Sequence, residues 1–289
     1  MTGGRGRIGL VGGSGLYELP GLATTSEVRL ETPFGAPSDA YLVGDLSGVP
    51  VAFLARHGRQ HRILPSEINF RANVWGFKEL GCDALLSASA CGSMKEAYRP
   101  TDLVLPDQFI DRTHRRVATF FGEGCVAHVS LAHPVCPHLL ETLDRTARDR
   151  GARVHTGGTY LGMEGPQFST RAESFLYRSW GVDVIGMTNV QEARLCREAE
   201  ICYATMALVT DFDCWHEEEQ AVSVEAILDV LRANAATANA VLAGAVIRIE
   251  AGRRCACRQA LRYAVLTRRE DVPEPTRTRL SLLMEKYWK

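Results

Sequence analysis

Residues 49–61, Val-Pro-Val-Ala-Phe-Leu-Ala-Arg-His-Gly-Arg-Gln-His, hold the stretch that decides the fold. Val49–Ala55 is short and apolar, as a strand buried on both faces should be. It runs directly into Arg56-His57-Gly58-Arg59-Gln60-His61. Two arginines and two histidines at the end of a buried strand are expensive to desolvate without a partner. An arginine fork matches the oxygens of a phosphate, and a histidine can donate a further hydrogen bond. The plainer alternative is a solvated loop.

Working outward, other apolar runs end in similarly suggestive residues. Ile8–Val11 ends in Gly12-Gly13-Ser14-Gly15, which is either a nest of backbone amides for an anion or a simple tight turn. The Gly-Lys-Ser/Thr ending of a P-loop and the three-glycine dinucleotide spacing are both missing from it. Ala84–Ala90, with Ser89, ends at Cys91-Gly92-Ser93, and Ile201–Thr210 ends at Asp211-Phe212-Asp213. Thr101–Pro106, Gly157–Met163 and Val182–Met187 also read as extended. Between these runs the periodicity predicts helices over Glu67–Leu80, Pro137–Arg150, Arg171–Gly181, Gln191–Ala199 and Val224–Ile249, with one more over Thr276–Tyr287. Strands alternating with helices imply an α/β fold around a central sheet, with ligands beyond the strand ends. Ser14, Arg56, His57 and Ser89 would then form one oxyanion cradle.

Asp211 and Asp213, at i and i+2, have three readings. They can bind a metal, although no EF-hand spacing or histidine pair accompanies them. Asp213 can simply cap a turn. Or the pair can face the exocyclic amine and N7 of an adenine and protonate the leaving base.

Composition narrows the function classes. The chain has 289 residues, 46% of them hydrophobic, enough for one large domain with a substantial core. With 33 basic and 34 acidic residues the formal charge is −1, which argues against a nucleic-acid or membrane-surface partner. No run of about 20 apolar residues is evident from the sequence, and the run Ile8–Val11 after the short, basic Met1–Arg7 is too brief for a signal-peptide core, so a cytoplasmic protein is expected. Of the nine cysteines, Cys82, Cys91 and Cys214 read as small buried hydrophobes. Cys255 and Cys257 form a C-x-C pair. A zinc site needs further clustered ligands, which the local sequence does not offer, so no metal is expected. The thiols are free, or else paired with each other or with Cys136, Cys196 or Cys202, free thiols being the expectation for the cytosol.

In order along the chain, Gly12-Gly13-Ser14-Gly15-Leu16, Thr32-Pro33-Phe34-Gly35, Ala55–His61, Ala90-Cys91-Gly92-Ser93, Asp107–Thr113, Glu164–Ser174, Met187-Thr188 and Thr210–Trp215 resemble the purine nucleoside phosphorylase superfamily, in its methylthioadenosine phosphorylase branch. The resemblance spans about residues 8–250. It implies a single α/β domain with a central mixed, partly barrel-like sheet flanked by helices, residues 1–250 forming the phosphorylase domain and 251–289 a helical extension packed on it. It also implies phosphate at Ser14, Arg56, His57, Ser89, Ala90 and Thr188, the ribose against Met187, the sugar or base face against Phe168, and adenine at Asp211 and Asp213.

In similar enzymes acting on 6-oxopurines, Asn stands at the position of Asp211 and Glu at that of Ser169. The aspartate and serine here therefore favour a 6-aminopurine. Val224, where a histidine would meet a 5′-hydroxyl, and Ile227 suit a methylthio group. His128 is implied to reach a neighbouring subunit's site, in a homotrimer or a homohexamer built as a dimer of trimers. Gln167 departs from the pattern, which often has arginine there. The implied reaction is phosphorolysis of S-methyl-5′-thioadenosine, with inorganic phosphate as co-substrate and no cofactor. Other 5′-modified purine nucleosides (5′-halo-5′-deoxyadenosine or methylthioinosine), hydrolysis by water, and nucleoside binding without catalysis are the alternatives.

Overall fold

A computed structural model of the chain describes residues 6–17, 19–216, 224–250 and 254–288, without the side chains of 224–228 and 233. The strands run β1 (Arg7–Gly12), β2 (Ala23–Val28), β3 (Tyr41–Leu46), β4 (Val49–Ala55), β5 (Cys82–Ser93), β6 (Leu103–Leu105), β7 (Gln108–Asp111), β8 (Val154–Thr156), β9 (Thr159–Gly162), β10 (Val184–Gly186) and β11 (Cys202–Asp211). The helices are α1 (Phe70–Glu79), α2 (Pro137–Asp149), α3 (Arg171–Ser179), α4 (Asn189–Glu198), α5 (Val224–Arg248) and α6 (Glu274–Met284).

All eleven strands join one mixed sheet that forks at β5. The main path is β2-β3-β4-β1-β5-β10-β9-β7, and a second branch leaves β5 through β11 and β6 to β8. β5 can serve both branches because it is 12 residues long. Its first half pairs with β1 in parallel, while Gly92 and Ser93 pair with β10 in the antiparallel sense. The expected strand end at Cys91-Gly92-Ser93 is therefore still strand.

Side-chain alternation puts helices on both faces. Ile8 and Leu10 of β1, Leu86 of β5 and Met206 and Leu208 of β11 pack with α2 and α5. Leu85 and Tyr203, one residue out of phase, pack against α1 and α4 on the other side. From the C-terminal segment, Leu280, Leu283 and Met284 of α6 are buried in that second layer.

Two expectations change. The helix read from Glu67 begins at Phe70, because the Asn69 side chain accepts from the Ala72 amide and caps it there. One helix does have the length and composition of a membrane span, over Asp229–Arg248, contrary to the reading of the sequence. Its alanine-rich stretch is a core helix instead, with Leu231, Ala238, Val241, Leu242 and Val246 buried against the sheet and α2.

Candidate functional site

Two parallel strands, β1 and β4, end at one level beside β5. Gly12 of β1 pairs with Ala55 of β4 on one side and with Ala88 of β5 on the other. The residues that follow, Gly13-Ser14, Arg56-His57 and Ser89-Ala90, therefore lie side by side, the first two pairs leaving the sheet while β5 runs on to Ser93. Gly13 N–H donates to Ala88 O at 3.1 Å and Arg56 N–H to Gly12 O at 2.9 Å, which ties the three segments together. Glycine is required at position 13 because a Cβ would lie 2.5 Å from Arg56 Nη1. Gly15 needs its φ of +80°, which L-residues disfavour.

Arg56 is 1% exposed, and its environment is built to hold a buried cation. Its Nε donates to Glu192 Oε1 at 2.5 Å, Nη2 to Ser87 Oγ at 2.7 Å and Nη1 to Ala88 O at 3.2 Å. The other Glu192 oxygen accepts from Ser87 Oγ, Tyr203 Oη and Asn189 Nδ2 at 2.8, 2.9 and 3.3 Å. Burying an ion pair is tolerable only when its remaining donors and acceptors are satisfied in this way. These bonds occupy three of the five guanidinium N–H groups, leaving one on each terminal nitrogen for an anion. Ser87, Asn189, Glu192 and Tyr203 were not identified from the sequence. The available signal was Asn189-x-x-Glu192, two polar residues on one face of a helix that follows Met187-Thr188.

Two cradle side chains direct their protons within the chain. The Ser89 hydroxyl donates to Asn189 Oδ1 at 2.6 Å, so its proton is committed within the protein. His57 Nδ1 lies 2.8 Å from Ile63 O; a carbonyl can only accept, so Nδ1 carries the proton. Burial, and secondarily the Arg56 charge, lower the His57 pKa to about 4. At neutral pH the imidazole thus offers a ligand Nε2 as an acceptor, which matches a protonated phosphate oxygen rather than a bare one. Thr188 is buried at the N-cap of α4 without using its side chain as a cap. Its hydroxyl and the positive end of the helix remain for an anion. Ser14 and Ala90 are half-buried at the same level.

The second level lies further along β5 and β11, where Gly92 pairs with Asp211. Four residue steps run from Ala88 to Gly92, which is about 13 Å of strand. The β5–β11 register slips by one residue between Val209 and Asp211, a bulge that re-aims the aspartate. Thr210 Oγ1 bonds to Cys91 O at 3.1 Å and to Asp211 Oδ2 at 2.6 Å. Asp211 Oδ1 accepts the Asp213 N–H at 2.8 Å. Asp213 then sits at φ +53°, an unfavourable backbone region for a residue other than glycine. Trp215 Nε1 donates to Ser93 O at 2.7 Å and pins the turn. Asp213 is buried, and its Oδ2 has no hydrogen-bond partner among the described residues. Burial raises its pKa. An orphaned, buried carboxylate oxygen is a place held for a ligand donor.

Between the levels lies Met187, half-buried, with its carbonyl accepting from Arg116 Nη1. Arg116 also donates to Glu164 O, fixing the Glu164–Gly165 turn against Met187. Ser169 is joined to the second level through its carbonyl, which accepts from Cys214 Sγ at 3.3 Å. Phe168, 45% exposed, is not closed over the site within one chain. His128 is exposed and its N–H donates to Ala264 O, so its contacts run to the C-terminal segment rather than to the cradle. The side chains of Val224 and Ile227 lie outside the described residues.

The arginine cluster and the carboxylate pair thus lie at two levels of one forked mixed sheet. The sequence pattern of the Phosphorylase superfamily matches residues 7–247, and the chain belongs to that superfamily. Within it the chain belongs with the methylthioadenosine phosphorylases. It is 55% identical to the S-methyl-5′-thioadenosine phosphorylase of Koribacter versatilis, across 97% of this chain and 96% of that one. It is 54% identical to the enzyme of the same name from Geobacter sulfurreducens, across 97% and 98%. A methylthioadenosine phosphorylase from an antarctic soil metagenomic library superimposes with TM-score 0.91 at 48% identity, covering 96% of this chain and 99% of that one. A Schistosoma mansoni methylthioadenosine phosphorylase solved with adenine superimposes with TM-score 0.82 at 37% identity, over 84% and 91%.

Proposed function

We propose that the chain is a pentosyltransferase that splits S-methyl-5′-thioadenosine with inorganic phosphate, giving adenine and 5-methylthioribose 1-phosphate. The observation that carries this reading is the pairing of a compensated buried arginine at one level with a buried carboxylate at the other, one of whose oxygens has no partner among the described residues. The names of the relatives support the substrate.

Phosphate lies against the two remaining Arg56 N–H groups and the Ser14 and Thr188 hydroxyls, beside Ala90, with His57 Nε2 accepting from its protonated oxygen. The C1′–N9 bond breaks with its electron pair leaving on the purine, and a phosphate oxygen bonds to C1′. The phosphate charge stabilises the oxocarbenium-like sugar between these events. Asp211, entering the step as the acid, gives its proton to N7 and is left as the carboxylate, while Asp213 accepts from the exocyclic amine, so adenine leaves neutral. Met187 and Phe168 face the sugar, and Ser169 the base. The chemistry needs no cofactor.

Residues 1–250 form the catalytic domain, and 251–289 an extension packed on it. Exposed Phe168 and His128 are the side chains best placed to meet a second copy, in a cytoplasmic homotrimer or dimer of trimers serving purine and methionine salvage. The test is adenine release from methylthioadenosine with and without phosphate, beside methylthioinosine. Phosphate-dependent release from the adenine substrate, with little from the hypoxanthine one, is expected. Release independent of phosphate would overturn the reaction, and preference for methylthioinosine would overturn the reading of Asp211.

A further inference from the structure

Outside the catalytic levels, the fold gathers four cysteines from three distant parts of the chain. The Sγ atoms of Cys136, Cys202, Cys255 and Cys257 all lie within 4.8 Å of one another. Cys136 is the N-cap of α2, Cys202 opens β11, and Cys255 and Cys257 flank the start of a 3₁₀ turn at Ala256–Gln259. The Cys136 N–H donates to Tyr203 O at 2.8 Å, which fixes the start of α2 to the start of β11. The Arg258 N–H donates to Cys255 O at 3.1 Å and shapes the turn that aims both of its cysteines inward. Three of the four are buried and Cys255 is half-buried. The local sequence offers no further ligands, but the fold brings them from afar, Cys136 lying 119 positions from Cys255.

Four sulfurs around a tetrahedral ion with metal–sulfur bonds of about 2.3 Å sit about 3.8 Å apart. Cys136 and Cys255 are already 3.6 Å apart. The four thiols lie against one another without a disulfide bond among them. The surroundings also suit the charge of such a site. Cys136 meets the positive end of a 13-residue helix, and Arg197 lies within electrostatic reach of Cys257. The donor set is all sulfur, which selects a soft, tetrahedral divalent ion, and four protein ligands leave no open position for catalysis.

We propose that Cys136, Cys202, Cys255 and Cys257 form a closed tetrathiolate site for one zinc-like ion, which fastens the C-terminal segment to α2 and β11. Each ligating thiol releases its proton to solvent as the ion binds, with no change of oxidation state. The extension that follows, including α6, is then held by a metal clip as well as by its buried leucines.

The full-length chain is purified under reducing conditions without chelator, and its zinc is measured by elemental mass spectrometry. About one zinc per chain is expected, falling at least tenfold in Cys255→Ser/Cys257→Ser. Cobalt added to the chelator-treated wild-type chain provides a reading that does not depend on the variant folding. Intense thiolate-to-cobalt charge-transfer bands with tetrahedral d–d bands support the site. Substoichiometric zinc with no such cobalt spectrum overturns it. So does an intact mass lower by two or four hydrogens under the same reducing conditions, since the thiols would then be pairing with each other.

Discussion

The two ends of the catalytic cleft handle charge in opposite ways. At the phosphate end, Arg56 is buried against Glu192, and Ser87, Asn189 and Tyr203 satisfy what the pair leaves over. At the base end, Asp213 is buried with an oxygen that no described residue satisfies. The first end satisfies its charges within the chain, and the second keeps one acceptor without a partner among the described residues. A network of the first kind fixes geometry, and a single unpartnered group of the second kind discriminates, because a wrong base leaves it unpaired.

The largest expected effect therefore lies at the base end. Asp211→Asn should lower kcat/KM for methylthioadenosine by about 10²–10⁴-fold and raise the relative rate on methylthioinosine, with phosphate KM little changed. Steady-state kinetics on both nucleosides check this, and an unchanged substrate ratio would remove Asp211 from base recognition. Next comes Glu192→Gln, which keeps the shape of the Arg56 contact but removes its charge. Phosphate KM should rise about tenfold, equal to about 1.4 kcal/mol, while base preference stays as it is. A shift in base preference would show that the two ends are coupled. Ser89→Ala removes one neutral hydrogen bond to Asn189 and should cost about 0.5–1.5 kcal/mol of stability, read by denaturant unfolding.

Titration sharpens the same contrast. The folded-state pKa of His57, about 4, lies below its ordinary 6.5, so its protonation opposes folding. The stability it contributes is present above about 6.5 and is lost as pH falls towards 4. Glu198, raised to about 7 by burial, acts in the other sense, and its contribution is lost as pH rises from 4.5 through about 7. Thermal unfolding of wild type and His57→Gln across pH 4–7 separates them. The acid-side fall should be shallower in the variant, and parallel curves would place His57 outside the buried cradle.

The strand ends were legible in the sequence because each carries its chemistry in adjacent residues, as with Val49–Ala55 followed by Arg56-His57. The supporting network was not, since Ser87, Glu192 and Tyr203 meet across separations of up to 105 positions and look like ordinary strand and helix residues one at a time. Strand β2, Ala-Thr-Thr-Ser-Glu-Val, was passed over because it is an exposed edge with no apolar pattern. Side-chain roles such as the committed protons of Ser89 and His57 depend on partners 100 and 6 residues away, which composition cannot reveal.

Phosphorolysis itself is tested most directly by the origin of the oxygen that ends on C1′. The reaction is run with ¹⁸O-labelled phosphate in ordinary water, and the sugar product is weighed by mass spectrometry. Labelled 5-methylthioribose 1-phosphate released together with adenine is the expected result. Free methylthioribose carrying oxygen from water would contradict a phosphate nucleophile and leave the Arg56 cradle without its assigned substrate.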